Sequence, residues 1–170
     1  HPDWQEIAKY TGVLKPRNYE KFRELARSAG VDAQSTEFQK ASGNLNRLNY
    51  KLDIEALLRT PQSAGYGLLD MHDYPGQGEA LVGWLDAFYD SKGFLSAQEF
   101  RRYGGATVPL ARLPKFVFTE GETLTAKAEL AHYGAAPLPA AELQWSLKNE
   151  DGQTLASGKL GPVAVPVGSV

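Results

Sequence analysis

Residues 65–78, Gly-Tyr-Gly-Leu-Leu-Asp-Met-His-Asp-Tyr-Pro-Gly-Gln-Gly, constrain this chain more than any other stretch. A short apolar run, Leu68 to Met71, follows small residues, gathers Asp70, His72 and Asp73 at its end, and opens into a glycine-rich loop. A run of that length before a Pro-Gly turn reads as a buried parallel strand. In α/β folds the carboxyl end of such a strand is where ligands bind.

Composition shifts near residue 105. Before it, charged and amide residues recur at helical spacing. Pro16 to Ala29 reads as a helix with Tyr19, Phe22, Leu25, Ala26 and Ala29 on one face and Gly30 as the stop. Ser35 to Arg59 reads as a longer helix facing inward through Phe38, Ala41, Leu45, Leu48, Leu52 and Ala56, with Gly43 marking either a kink or a break. Ser96-Ala-Gln-Glu99 is a capping box, so a short helix should start at Ser96 and end near Gly104. After residue 105, Leu124 to Leu130 and Leu143 to Leu147 alternate apolar with polar residues. Asn149-Glu-Asp-Gly152 turns the chain into Thr154 to Lys159, and Lys115 to Phe118 adds a further strand.

Helix, helix, strand, rim loop, helix and then antiparallel strands predict an α/β plus all-β chain. Residues 1–105 would be the C-terminal βα units of a TIM (β/α)8 barrel, and 106–170 part of an immunoglobulin-like β-sandwich. A barrel takes about 250 residues, so its other strands would precede His1.

The net charge of −2 offers no basic stripe for a phosphate backbone, which argues against nucleic acid as a partner. No apolar run approaches the roughly 20 residues that span a bilayer, which argues against a membrane. With no cysteine, thiolate chemistry and disulfides are excluded.

Tyr10-Thr-Gly-Val-Leu14, Leu69-Asp-Met-His-Asp-Tyr-Pro-Gly-Gln-Gly78, Ala80-Leu-Val-Gly-Trp-Leu-Asp86 with Asp90-Ser-Lys-Gly93, and Phe118-Thr-Glu-Gly-Glu-Thr-Leu124 resemble bacterial family 2 glycoside hydrolases. They resemble the end of that family's barrel and the entry to its following sandwich. The resemblance implies a retaining exo-glycosidase needing no cofactor, a carbohydrate substrate, the remainder of the parent polypeptide as partner, and a periplasmic or secreted location. Both catalytic glutamates would lie upstream of His1, so none is carried over. The branch it resembles has Trp where Tyr89 stands.

Retaining hydrolysis needs two carboxyl groups about 5–5.5 Å apart, which one short strand cannot present alone. Asp70, His72, Asp73 and Gln77 are therefore candidates for touching sugar hydroxyls, and Trp84 and Tyr89 for stacking on a sugar's C–H face. Each has a plainer role open to it: Asp70 and Gln77 as ties within the rim loop, the aromatic rings as packing. His72 is also a candidate proton carrier or metal ligand. Asp90 and Lys92 read as a turn residue and a solvated charge, His132 as a surface residue, and Trp145 as core.

Overall fold

Pro16 and Gly30 delimit the first helix as the spacing predicts: α1 is Arg17–Ser28. Gly30, at φ 73°, donates to Arg27 O while Val31 donates to Ala26 O, a paired closure that needs the left-handed conformation glycine adopts freely. The computed structural model describes residues 2–69, 71–74 and 81–169. It divides into two units, His1–Asp53 with Tyr66–Phe100, and Ile54–Gly65 with Arg101–Val170.

In the first unit a 3-10 helix, Trp4–Lys9, precedes α1, and α2 runs unbroken over Ser35–Leu58, its residues from Ile54 onward belonging to the second unit. Gly43 does not break α2. A Cβ there would lie 2.5 Å from the Phe94 ring, so glycine admits that ring against the helix. This contact also turns the helix. Gly43 is buried while Phe38, Leu45, Leu48 and Leu52 are substantially exposed, so the apolar stripe is not the buried face.

At the end of the first unit the capping box forms as read. Ser96 N–H donates to Glu99 Oε2 and Glu99 N–H to Ser96 Oγ, opening α3, Ala97–Gly104. The strands are β1 Thr107–Arg112, β2 Lys127–His132, β3 Leu138–Lys148, β4 Thr154–Val165 and β5 Gly168–Ser169. They form a three-stranded sheet β1-β2-β5 and a two-stranded sheet β3-β4, every pairing antiparallel. Val108, Leu110 and Ala131 are buried, and a cleft of about 520 Å³ is lined from both sheets by Leu130, Leu143, Leu160 and Val163. The 149–152 turn closes β3 onto β4 through Asn149 N–H to Gln153 O and Gly152 N–H to Asn149 O.

The barrel-and-sandwich expectation is overturned. Among the described residues there is no βα repeat, and the parallel pairing recorded is an isolated bridge, His72 to Leu85. Leu68, Leu69 and Met71 are not in a strand, and Leu69 and Met71 are exposed. A buried parallel strand needs neighbours on both sides to take its backbone N–H and C=O groups, and a lone bridge cannot supply them. In place of an immunoglobulin-like sandwich stand two small sheets of three and two strands. Lys115–Phe118 is not a strand. The first strand is instead β1, where Pro109 is tolerated because β1 is an edge strand. Trp145 is half exposed, lying over Gly158 rather than within a core.

Gly43→Ala should destabilise the protein by about 1–3 kcal/mol through overpacking, outweighing the ~1 kcal/mol that helix propensity favours alanine by. Urea denaturation checks this, and Phe94→Ala in the same chain should cancel most of the penalty.

Candidate functional site

Asp70 and Gln77 lie outside the described residues. Of the other nominated residues, His72 and Tyr89 come together and Asp73 and Trp84 serve elsewhere.

The segment is folded by its backbone first. Met71 O accepts from Trp84 N–H and Leu85 N–H at 3.0 and 3.1 Å, and Asp73 N–H donates to Leu85 O at 3.0 Å. Leu85 in turn bridges Ser91 antiparallel, so the chain reverses over residues 86–90. Asp86 organises that reversal. Its Oδ1 accepts from Phe88 N–H at 2.8 Å and Asp90 N–H at 2.9 Å, and its carbonyl accepts from Tyr89 N–H at 3.0 Å. Lys9 Nζ, from the 3-10 helix, donates to Asp86 Oδ2 and, at 2.7 Å, to Asp90 Oδ2.

Within this turn Tyr89 has φ 66°, a left-handed conformation costing a non-glycine residue about 1–3 kcal/mol. It lays the phenol ring on the His72 imidazole, centroids 4.5 Å apart and planes 22° apart. Tyr89 nevertheless remains 66% exposed. The result is a two-ring surface platform rather than a pocket: neither the cleft of the second unit nor a cavity of about 160 Å³ beside Gly43 and Lys92 is lined by His72 or Tyr89.

Asp73, nominated to touch sugar, is an internal anchor. It is 2% exposed, accepts from Lys92 Nζ at 2.6 Å and from Gly83 N–H at 3.0 Å, and Lys92 is correspondingly no solvated charge. Burial pushes the Asp73 carboxyl up, against the lowering pull of Lys92 and the Gly83 N–H. Gly83 fits there because it has no side chain: a Cβ would stand 2.4 Å from the His72 carbonyl carbon. Trp84, nominated as a stacking ring, is buried between Tyr50 and Phe100, with its indole N–H on Asn46 Oδ1 at 3.0 Å. His132 is likewise buried, its ring nitrogens bonded to Thr107 Oγ1 and Ala136 O.

Sequence reasoning missed Glu6, Lys9 and Asp86. Glu6 is 2% exposed and is held by the Tyr19 hydroxyl and Ala87 N–H. Burial raises its carboxyl, the Ala87 N–H lowers it, and the charges of Asp73 and Asp86 raise it further. Burial also works to raise Asp86, but the bonds from Lys9 and two backbone N–H groups win and hold it low. The Asp86-x-x-x-Asp90 spacing was the available signal; nothing local points to Lys9, 77 residues away from Asp86.

Chemically, the platform can bind and orient a flat apolar face. Glu6, Asp73 and Asp86 are buried and bonded within their own unit, so none is presented for acid–base work. Among the described residues no group of three or more His, Asp and Glu side chains is placed to hold a metal ion. In comparison with known proteins, residues 122–170 match a family described as "Domain of unknown function (DUF8488)", a match that does not reach the platform. No curated protein matches the chain.

Lys92→Met should destabilise by about 3–5 kcal/mol at neutral pH, because it strands a buried carboxylate, and acidification should restore part of the loss as Asp73 takes up a proton. Urea midpoints at two pH values read both effects. Glu6 carries the opposite sign from an ordinary ion-paired acid. Its folded pKa lies above its usual 4.5, so its contribution is complete below that value and lost as pH rises through the raised one. Glu6→Gln should therefore gain stability relative to the parent protein on going from pH 4 to pH 7.

Proposed function

We propose that this chain supplies a non-catalytic aromatic wall of the sugar site in a retaining exo-acting glycoside hydrolase, whose nucleophile and acid/base are carried by the remainder of the parent polypeptide. The observation that carries the reading is the exposed Tyr89 ring seated on His72. Sugars present C–H faces that lie flat on such rings, and Tyr89 is held ready at a cost in backbone strain that packing alone does not require. The resemblance of residues 69–78 and 80–86 to family 2 glycoside hydrolases supplies the reaction class.

A second reading, a non-catalytic carbohydrate-binding or interdomain module, is favoured by the inward commitment of Glu6, Asp73 and Asp86. Both readings require sugar at Tyr89 and differ in whether hydrolysis accompanies it.

Saturation-transfer NMR with a panel of methyl glycosides should show sugar C–H protons receiving magnetisation from this chain, and Tyr89→Ala should abolish the transfer. In the parent polypeptide the same substitution should lower kcat/KM on aryl glycosides about tenfold, which is ~1.4 kcal/mol. Unchanged kcat/KM together with no transfer to any sugar would overturn the proposal. Transfer without hydrolysis by the parent polypeptide would favour the module.

A further inference from the structure

We infer that Lys9 and Asp86 are positioning residues for the His72–Tyr89 platform: the Lys9 ammonium locks the Asp86–Asp90 turn, and the turn presets the Tyr89 ring against His72. The inference deepens the proposed function and rests on it.

Three observations converge. Tyr89 occupies a left-handed conformation, which persists in a bulky residue only where the surroundings overdetermine it. Those surroundings are Asp86: its carboxylate takes the N–H groups of Phe88 and Asp90, its carbonyl takes that of Tyr89, and its own N–H donates to Asp90 O at 2.8 Å. The turn is thus closed around one residue, with the strained residue inside it.

Lys9 ties the two carboxylates of this turn to the 3-10 helix, beside the Ala87 N–H donated to Glu6 Oε1. Its Nζ reaches both Asp86 and Asp90, and it lies 5.8 Å from the centre of the Phe88 ring. Phe88 packs edge-on against Tyr10, the residue after Lys9, with centroids 4.8 Å apart. Consecutive residues therefore point to different work: Phe88 is gripped by the 3-10 helix and its cap, and Tyr89 is turned outward onto His72. An exposed aromatic side chain that must be ordered on binding loses affinity to that ordering, and a ring fixed beforehand does not. Lys9 and Asp86 need touch no ligand to set affinity.

The test uses Lys9→Met, which keeps the aliphatic stem, Lys9→Arg, which can still bridge two carboxylates, and Asp86→Asn. The readouts are the His72 ring-proton resonances, which the Tyr89 ring current displaces in the stacked state, and the sugar readouts at Tyr89. Tyr89→Ala defines the unstacked resonance positions. Lys9→Met and Asp86→Asn should move the His72 resonances toward those positions and weaken sugar affinity, seen as KM in the parent polypeptide, about tenfold with kcat retained. Lys9→Arg should preserve both. If Asp86→Asn fails to fold, Lys9→Met, whose side chain is already 37% exposed, decides the matter. A folded Lys9→Met protein with unmoved His72 resonances and unaltered affinity would overturn the inference. If the resonances move but the parent protein contacts no sugar, the positioning role stands and the sugar reading fails.

Discussion

The buried ion pair of Asp73 and Lys92 is the interaction on which the candidate site depends. It joins the end of the 71–73 stretch to the far side of the reversal, across 19 residues of sequence, with both side chains almost fully enclosed. Removing two charges from water is expensive, and the pair is repaid only through good geometry and added hydrogen bonds. The Gly83 N–H completes the second requirement. With those ends fixed, Met71 and Leu85 can exchange backbone bonds, and the 86–90 turn has a base to stand on.

Around that pair the first unit manages more buried acid than base. Asp73 has Lys92, and Asp86 has Lys9, but Glu6 is met, among the described residues, by a tyrosine hydroxyl and a backbone N–H. The three environments push the three carboxyls in different directions: Asp86 down, Glu6 and Asp73 up. The phenols beside them feel the same excess. Burial, with the charges of Glu6, Asp73 and Asp86 adding to it, pushes Tyr10 up to about 12. The buried carboxyls of this unit are thus met chiefly by two lysines far apart in sequence, Lys9 and Lys92.

Signals contained within one turn of chain were legible. The Pro16 and Gly30 stops, the Ser96–Glu99 box and the Asn149–Gly152 turn each form as read, because their hydrogen bonds lie within a few residues. What depends on a distant partner was not legible. The Leu68–Met71 run has the composition of a barrel strand, but strand character is conferred by neighbours, and here there is one bridge. The apolar stripe of α2 predicted the wrong face because a phenylalanine 51 residues beyond Gly43 packs on the glycine. Of the nominated site residues, Tyr89 and His72 could be read as exposed chemistry, whereas Asp73 and Trp84 look identical in sequence whether they face solvent or, as here, Lys92 and Asn46. Lys9 carried no signal at all, since an ion pair spanning 77 residues leaves no spacing to read.

Gly83 gives this arrangement a fingerprint. No other residue fits where a Cβ would meet the backbone of His72 and Asp73, and Gly83 also offers its N–H to Asp73 Oδ1. The platform is therefore specified in this segment by a spaced set of residues: His72-Asp73, then Gly83 ten positions after the aspartate, then Asp86 and Asp90 on either side of Tyr89, then Lys92. A chain that keeps His72 and Tyr89 but replaces Gly83 loses the close approach on which the platform rests, and Lys9, far outside this segment, is needed as well.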